Sequence, residues 1–436
     1  MSVYSMKFGK GAFDIDIPDE RLLGVLKSHE KKQAATEQTA IIDALENPIE
    51  SARLRDKVKP GETVCVVICD ITRSWQHTAV YLPFVVDEIK RGGVKNEDIF
   101  FLVGTGTHRG HTTEEHKLLL GELYGKYKIY DHDSRNDPMT DLGKTSRGTP
   151  VKLNKRATDA DHVVLTGAII YHFMPGWGGG RKAILPGISS YETVQANHAL
   201  TLEPLPGKGR NWACNSGKLE GNVIHLDMVE AAAKMNPTFM LNVIMGGDGK
   251  IGWAVAGHWK KAHEAGVKLV DSVDKVFIPE LGDLVVSSAV GYPKDINLYQ
   301  STKALFNAEP AVKPGGSLVI VAACAEGYGD EEMQMMLQKY KNSDEREAEL
   351  RREFTIAKYV GYCTGSAAER FDFHIVTDMK SDLLADTGIK VSKTLDEALS
   401  KIYAARGENL KTWLMPRGAY TLAEPLCCRE IPKGEK

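Results

Sequence analysis

Three imidazoles and one amine stand out as groups able to do chemistry: His108, His172, Lys182 and His198. Imidazoles exchange protons near neutral pH and ligate metals, and a lysine amine forms covalent bonds or holds anions. His172, Lys182 and His198 fall within 27 residues, around "PGWGGGRK", where Gly178, Gly179 and Gly180 lead into Arg181-Lys182. This is not a triphosphate-binding loop. That loop needs a glycine before the lysine and a Ser or Thr after it, whereas Arg181 and Ala183 stand there. His108 tips a second glycine loop, "GTGTHRG", whose spacing is one residue too long for a dinucleotide fingerprint. "DITRS" supplies Asp70, Thr72 and Arg73, the last a bidentate fork for a carboxylate or phosphate. In "GYPKDINLYQSTKAL", Gln300 and Lys303 are three apart and so share a helical face. His111 and His116, on a polar helix start, are expected to be solvated, and the "DHD" at 131–133 to end a strand rather than bind a metal.

These groups need a scaffold, and the first half of the chain supplies an alternation of strand-like and helix-like segments. "ETVCVVICD", "DIFFLVGTGTHRG" and "HVVLTGAII" are apolar, β-branched runs, and helical patterns lie between and after them. Such alternation predicts parallel sheets covered by helices, where ligands bind beyond the carboxyl ends of strands. The three polar clusters fall at three such ends. A new βα series starts after about residue 272, which predicts an α/β domain over 1–272 and a second over 273–414. The tail 415–436 is expected to pack back on the first domain, and the charged run "DEEMQMMLQKYKNSDEREAELRREF" to be a solvated excursion.

A formal net charge of -3 argues against nucleic-acid binding, and no apolar run long enough to span a membrane is present. The start lacks the apolar core of a signal peptide. Seven cysteines without a C-x-x-C pair fit buried thiols in a reducing cytoplasm.

The ordered series "DITR", "GTGTHR", "YHFMPGWGGGRKAILPG", "ANH" and "GYPKDINLYQSTKAL" resembles the lactate racemase family of nickel-pincer-nucleotide enzymes over nearly the whole chain. The resemblance implies two α/β domains with mostly parallel sheets and an active site in the interdomain cleft. It implies a nickel pyridinium-3,5-bisthiocarboxylic acid mononucleotide covalently attached at Lys182, with His198 ligating nickel and His108 and His172 as the acid/base pair. Arg73, Gln300 and Lys303 match substrate-pocket residues, and Tyr299 beside them is placed there too. Asp70 and Thr72, with Gly178, Gly179 and Gly180, match the region that receives the nucleotide. The implied activity is racemisation or epimerisation of a small 2-hydroxy acid by proton-coupled hydride transfer, with cofactor-synthesis enzymes as partners. The alternatives are an epimerase or redox enzyme for a sugar acid or polyol with the same cofactor, and a non-catalytic carboxylate-binding homologue. Two departures bear on the substrate. Ser74-Trp75 follow the arginine, and Trp177 and Arg181 flank the glycines, so Trp75 and Arg181 are expected to shape a pocket for a larger or more acidic substrate.

Overall fold

The computed structural model describes residues 3–426 and separates into two compact units, one of residues 31–201 and 211–271, the other of 3–30, 202–210 and 272–426.

The first unit is built on a six-stranded sheet. Its order is Ile251–Gly257, Phe239–Met245, His162–Ala168, Val64–Cys69, Ile99–Gly104, Lys128–Asp131, and every pair is parallel except the first. Val64–Cys69 shows why: Val64, Cys65, Val66, Val67 and Ile68 are all buried, as a central parallel strand covered on both faces must be. Helix Thr78–Arg91 covers one face with Tyr81, Leu82, Val85, Val86 and Ile89, a stripe at helical spacing. Helix Thr113–Leu120 starts in a capping box: Thr112 Oγ1 accepts from Glu115 N, and the Glu115 carboxylate accepts from Thr112 N at 2.8 Å.

Numbering the five parallel strands along the chain, they lie side by side as 5-4-1-2-3. Connections from the first strand therefore run both ways, and a topological switch point opens between Val64–Cys69 and His162–Ala168. The loops after these two strands carry "DITRS" and "YHFMPGWGGGRK". The loop after Ile99–Gly104, one strand along, carries His108.

The second unit has an all-parallel six-stranded sheet, in the order Lys390–Ser392, Asp372–Val376, Val312–Val321, Gly282–Ser288, Thr412–Met415, Leu22–Val25. Its last strand corrects the expected division at 272/273. Residues 3–30 fold here, because Leu22–Val25 extends this sheet and Met6, Ile15 and Ile17 pack in its core with Leu284, Val286 and Val319. Residues 202–210 join it too: Gly207 N and Gly209 N donate to the Glu347 carboxylate at 2.8 and 2.7 Å. The expected return of the tail to the first domain is also corrected, since Leu422–Pro425 pairs with Lys275–Ile278 in this unit; residues 427–436 lie outside the described residues. The charged run forms two helices, Glu331–Gln338 and Ser343–Arg352, that turn charges inward. Arg346 is buried and bonds Glu369 at 2.6 Å, and Lys358 Nζ donates to Glu349 at 2.8 Å.

Cys65, Cys69, Cys214, Cys324 and Cys363 are free thiols, while Cys427 and Cys428 lie outside the described residues. Among the described residues no helix is long and apolar enough to cross a membrane.

Candidate active site at the strand ends

Asp70 ends the Val64–Cys69 strand and opens a 3-10 turn, Ile71–Gln76. Its carboxylate is buried, with Oδ2 2.6 Å from His108 Nδ1 and Oδ1 accepting from the Thr72 hydroxyl. Arg73 Nη1 in turn donates to Thr72 Oγ1 at 2.6 Å. Burial alone would raise the Asp70 pKa, but the His108 bond and the Arg73 charge outweigh it and hold the group near 2. An ionised carboxylate accepts, so His108 Nδ1 donates to it and the neutral ring keeps its lone pair on Nε2. That is the tautomer of a general base whose cationic form the carboxylate stabilises. Asp70 and Thr72 were expected beside the nucleotide phosphate. In this structure Asp70 bonds to His108 and Thr72, and Thr72 accepts from Arg73.

His172 lies in a two-residue strand, Tyr171–His172, paired with Gly176–Trp177. Met174 N donates to its Nδ1 at 3.3 Å, and the ring stacks on Phe173. With Nδ1 accepting, a neutral His172 carries its proton on Nε2. The two histidines thus stand in complementary states, one with Nε2 bare and one with Nε2 protonated.

The glycine run, Gly178, Gly179 and Gly180, packs closely against its surroundings. Gly178 N donates to Ile170 O at 2.8 Å and Gly180 N to Asn242 Oδ1 at 2.7 Å, so two of the three amides are already engaged. A Cβ on Gly179 would lie 2.5 Å from Asn242 Oδ1, and one on Gly180, at φ +51°, 2.8 Å from the His263 ring. Gly180→Ala is expected to lower stability by roughly 1–3 kcal/mol through this strain, seen as a fall in the urea midpoint. An unchanged midpoint would mean that the loop accommodates the methyl group freely.

Arg181 was expected to reach a second carboxylate of the substrate. It is instead buried: Nη2 donates to Pro175 O at 2.7 Å, and Nη1 lies 2.7 Å from His263 Nε2 and 3.4 Å from the Gly178 and Gly179 carbonyls. Burial pushes its pKa down to about 9. Trp75, expected to line the pocket, packs against the apolar core of the unit.

Lys182 sits in the 3-10 turn Gly180–Ala183 and is half-buried. Burial, reinforced by the charges of Arg73 and Arg181, drives its pKa well below the usual lysine value. The amine is therefore biased toward its neutral, nucleophilic form. His198, in helix Tyr191–Ala199, is buried, and burial together with the Lys182 charge pushes its pKa to about 3. A ring that stays neutral offers a nitrogen lone pair to a metal without competition from a proton. Both groups thus fit a lysine-attached, metal-containing cofactor.

Gln300 and Lys303 belong to the second unit, on helix Leu298–Ala308 with Tyr299, where Lys303 Nζ donates to Gln300 Oε1 at 2.7 Å. Asn242 and His263, which anchor the glycine loop, escaped the sequence reading. The signal for Asn242 was there: it is the one polar residue in the strand "FMLNVIM".

Comparison with known proteins places these observations in context. Residues 8–209 match the model of the lactate racemase N-terminal domain, and 279–422 that of the C-terminal domain. A lactate racemase of Thermoanaerobacterium thermosaccharolyticum is 38% identical over 335 residues, covering 76% of each chain. One from Lactiplantibacillus plantarum is 32% identical over 432 residues, 96% of this chain and 99% of that one. The lactate racemase apoprotein structure from T. thermosaccharolyticum superposes with a TM-score of 0.89 at 34% identity, covering 97% of this chain and all (100%) of the other. A Thermotoga maritima protein shares the fold at TM-score 0.63 and 17% identity, covering 91% of this chain and 100% of its own.

Proposed function

The chain belongs to the lactate racemase family and is an isomerase, and from that premise we propose that it racemises a small 2-hydroxy acid, with lactate the first candidate. The observation that carries this reading is His108, backed by an ionised Asp70, at the same sheet end as His172 and Lys182. The nickel-pincer nucleotide implied by the family resemblance would supply the hydride acceptor, held covalently at Lys182 with His198 as its nickel ligand.

The chain's own residues then handle charge and protons. Arg73 presents a guanidinium to the substrate carboxylate, and Gln300 and Lys303 are assigned to the same task by resemblance. His108 Nε2 takes the hydroxyl proton as the α-hydrogen leaves with its electron pair, and Asp70 stabilises the imidazolium. The flat keto acid that results has lost its handedness. His172, in its imidazolium form, is the group assigned to return a proton to the hydroxyl oxygen when the opposite enantiomer is formed. A turnover leaves His108 as the imidazolium and His172 as the neutral imidazole, the states from which the other enantiomer starts.

Arg181 is buried with its Nη atoms toward loop carbonyls and His263 and offers no second cation to the substrate, so a monocarboxylate is favoured. The test is protein coexpressed with the cofactor-building enzymes and checked by mass spectrometry for a Lys182 adduct. Such protein is expected to convert either lactate enantiomer to the racemate with α-deuterium retained. Loaded protein that spares lactate but epimerises a sugar acid would shift the reading to the alternative substrate class, and loaded protein inert toward a whole hydroxy-acid panel would overturn it.

A further inference from the structure

We propose that His111, held by Asp131, is a positioning residue for the Asp70–His108 pair, clamping together the two strand-end loops that carry it. His111 was expected to be solvated, but its side chain is 1% exposed. It lies three residues beyond His108, and its Nε2 accepts from the backbone N–H of Ile71, the residue that follows Asp70, at 3.0 Å. The ring therefore bridges the loop that bears the base and the turn that bears the base's partner.

The direction of each bond follows from chemistry. A backbone amide only donates, so Nε2 is the acceptor and the proton of a neutral ring sits on Nδ1. That nitrogen lies 2.8 Å from Asp131 Oδ1, which also receives His116 Nε2 at 3.0 Å, while Oδ2 accepts from His111 N at 2.7 Å. Burial would raise the Asp131 pKa, but the bonds from His111 and His116 outweigh it and keep the carboxylate ionised, near 2. Gly110 leaves room for this contact, since a Cβ there would come within 3.3 Å of Asp131 Oδ2. Each oxygen of Asp131 and each nitrogen of His111 is thus used in a sense that fixes the ring plane. The bridge adds a second hydrogen-bonded link between the two loops beside the 2.6 Å contact of Asp70 with His108, whose side chain is 45% exposed. A second contact across the same loops lowers the conformational entropy lost in forming the first.

His111, His116 and Asp131 also converge closely enough to suggest a metal site, with ligand atoms within 4.8 Å of one another. The Ile71 bond argues against it. Coordination through Nδ1 would move the neutral ring's proton to Nε2, leaving two N–H donors facing each other at 3.0 Å.

The inference deepens the assignment of His108 as a proton-handling group, and its primary test needs neither cofactor nor substrate, so the two can fail separately. The His108 Nδ1–H proton, hydrogen-bonded to a carboxylate, should give a downfield NMR signal in the full chain, identified by its loss in His108→Gln. That signal is expected to vanish or broaden in His111→Leu. It should return in His111→Gln, whose amide keeps an acceptor for Ile71 and a donor for Asp131, and stay unchanged in His116→Gln. In cofactor-loaded enzyme, His111→Leu is expected to lower kcat about tenfold or more, the scale of losing a group that orients a reacting residue, with KM unaffected. Should His111→Leu not fold, Asp131→Asn provides the comparison, with the signal weakened. An unaltered signal in either folded variant overturns the proposal, as does its absence from the wild type. Stoichiometric Zn²⁺ binding abolished by both His111→Leu and His116→Gln would overturn it in favour of a metal site.

Discussion

Lys182→Ala is expected to reduce racemisation of any 2-hydroxy acid to the uncatalysed level, a loss of roughly 10⁶-fold or more, and to abolish the cofactor mass adduct. The effect is this large because the amine would be the point of attachment for the hydride acceptor, so its loss removes the route rather than slowing it. Lys182→Arg should be equally inactive, since a guanidinium keeps the charge but not the nucleophilic amine. Activity or an adduct surviving in either variant would refute attachment at Lys182. The unloaded protein supplies an independent check. The folded pKa of Lys182 lies well below its unfolded value, so between the two the unfolded chain binds the extra proton and stability rises with pH. The lysine thus destabilises the apo fold at neutral pH, and the penalty fades as pH approaches the ordinary lysine value. Lys182→Ala apoprotein should therefore melt higher than wild type at pH 7, with the difference shrinking toward pH 10. The opposite trend would mean that the amine is charged and paired.

His108→Gln is expected to lower kcat by about 10²–10⁴-fold, the range for removal of a general base, while the Lys182 adduct and nickel content stay at wild-type levels. The split matters, because a loss caused by poor loading would lower all three together. Assigning one base to each enantiomer adds a sharper expectation. In a single turnover, His108→Gln should suppress keto-acid formation from one enantiomer and leave the other nearly intact, and His172→Gln should show the reverse preference. Equal suppression of both enantiomers by each variant would rule out a two-base mechanism. Asp70→Asn should resemble a weaker His108→Gln, since its amide no longer holds the Nδ1–H tautomer with an ionised partner.

How much of this was legible in the sequence depended on how local the determinant is. Apolar β-branched runs and their alternation with helical patterns are local, so "VCVVIC" was readable as a strand and Thr112–Glu115 as a helix start. Polar clusters at strand ends were legible for the same reason, and with them His108, His172, Lys182 and His198 as residues to watch. Their pairing was not. Asp70 and His108 are 38 residues apart and meet only because their strands are neighbours in register, with Cys69 opposite Gly104.

The misreadings share that cause. The need for glycine at 179 and 180 is invisible in the sequence, because Asn242 and His263, from distant segments, occupy the space where side chains would be. Arg181 reads as a free cation because composition cannot say which way a side chain turns; its Nη atoms face the loop's own carbonyls and His263. His111 beside an exposed-looking helix start is buried because Asp131, on the next strand, draws its ring inward. Residues 3–30 precede one domain along the chain yet fold with the other, because the Thr412–Met415 strand left an edge that Leu22–Val25 could pair with. By itself the sequence determined the two-unit α/β class and the identities of the reactive groups, since those follow from side-chain chemistry and short-range periodicity. Only the tertiary structure decided the strand order that opens the switch point, the pairing of His108 with Asp70 and the downward pKa shifts of Lys182 and His198. Each of these is set by hydrogen bonds and desolvation between residues far apart in the chain, which no local pattern encodes.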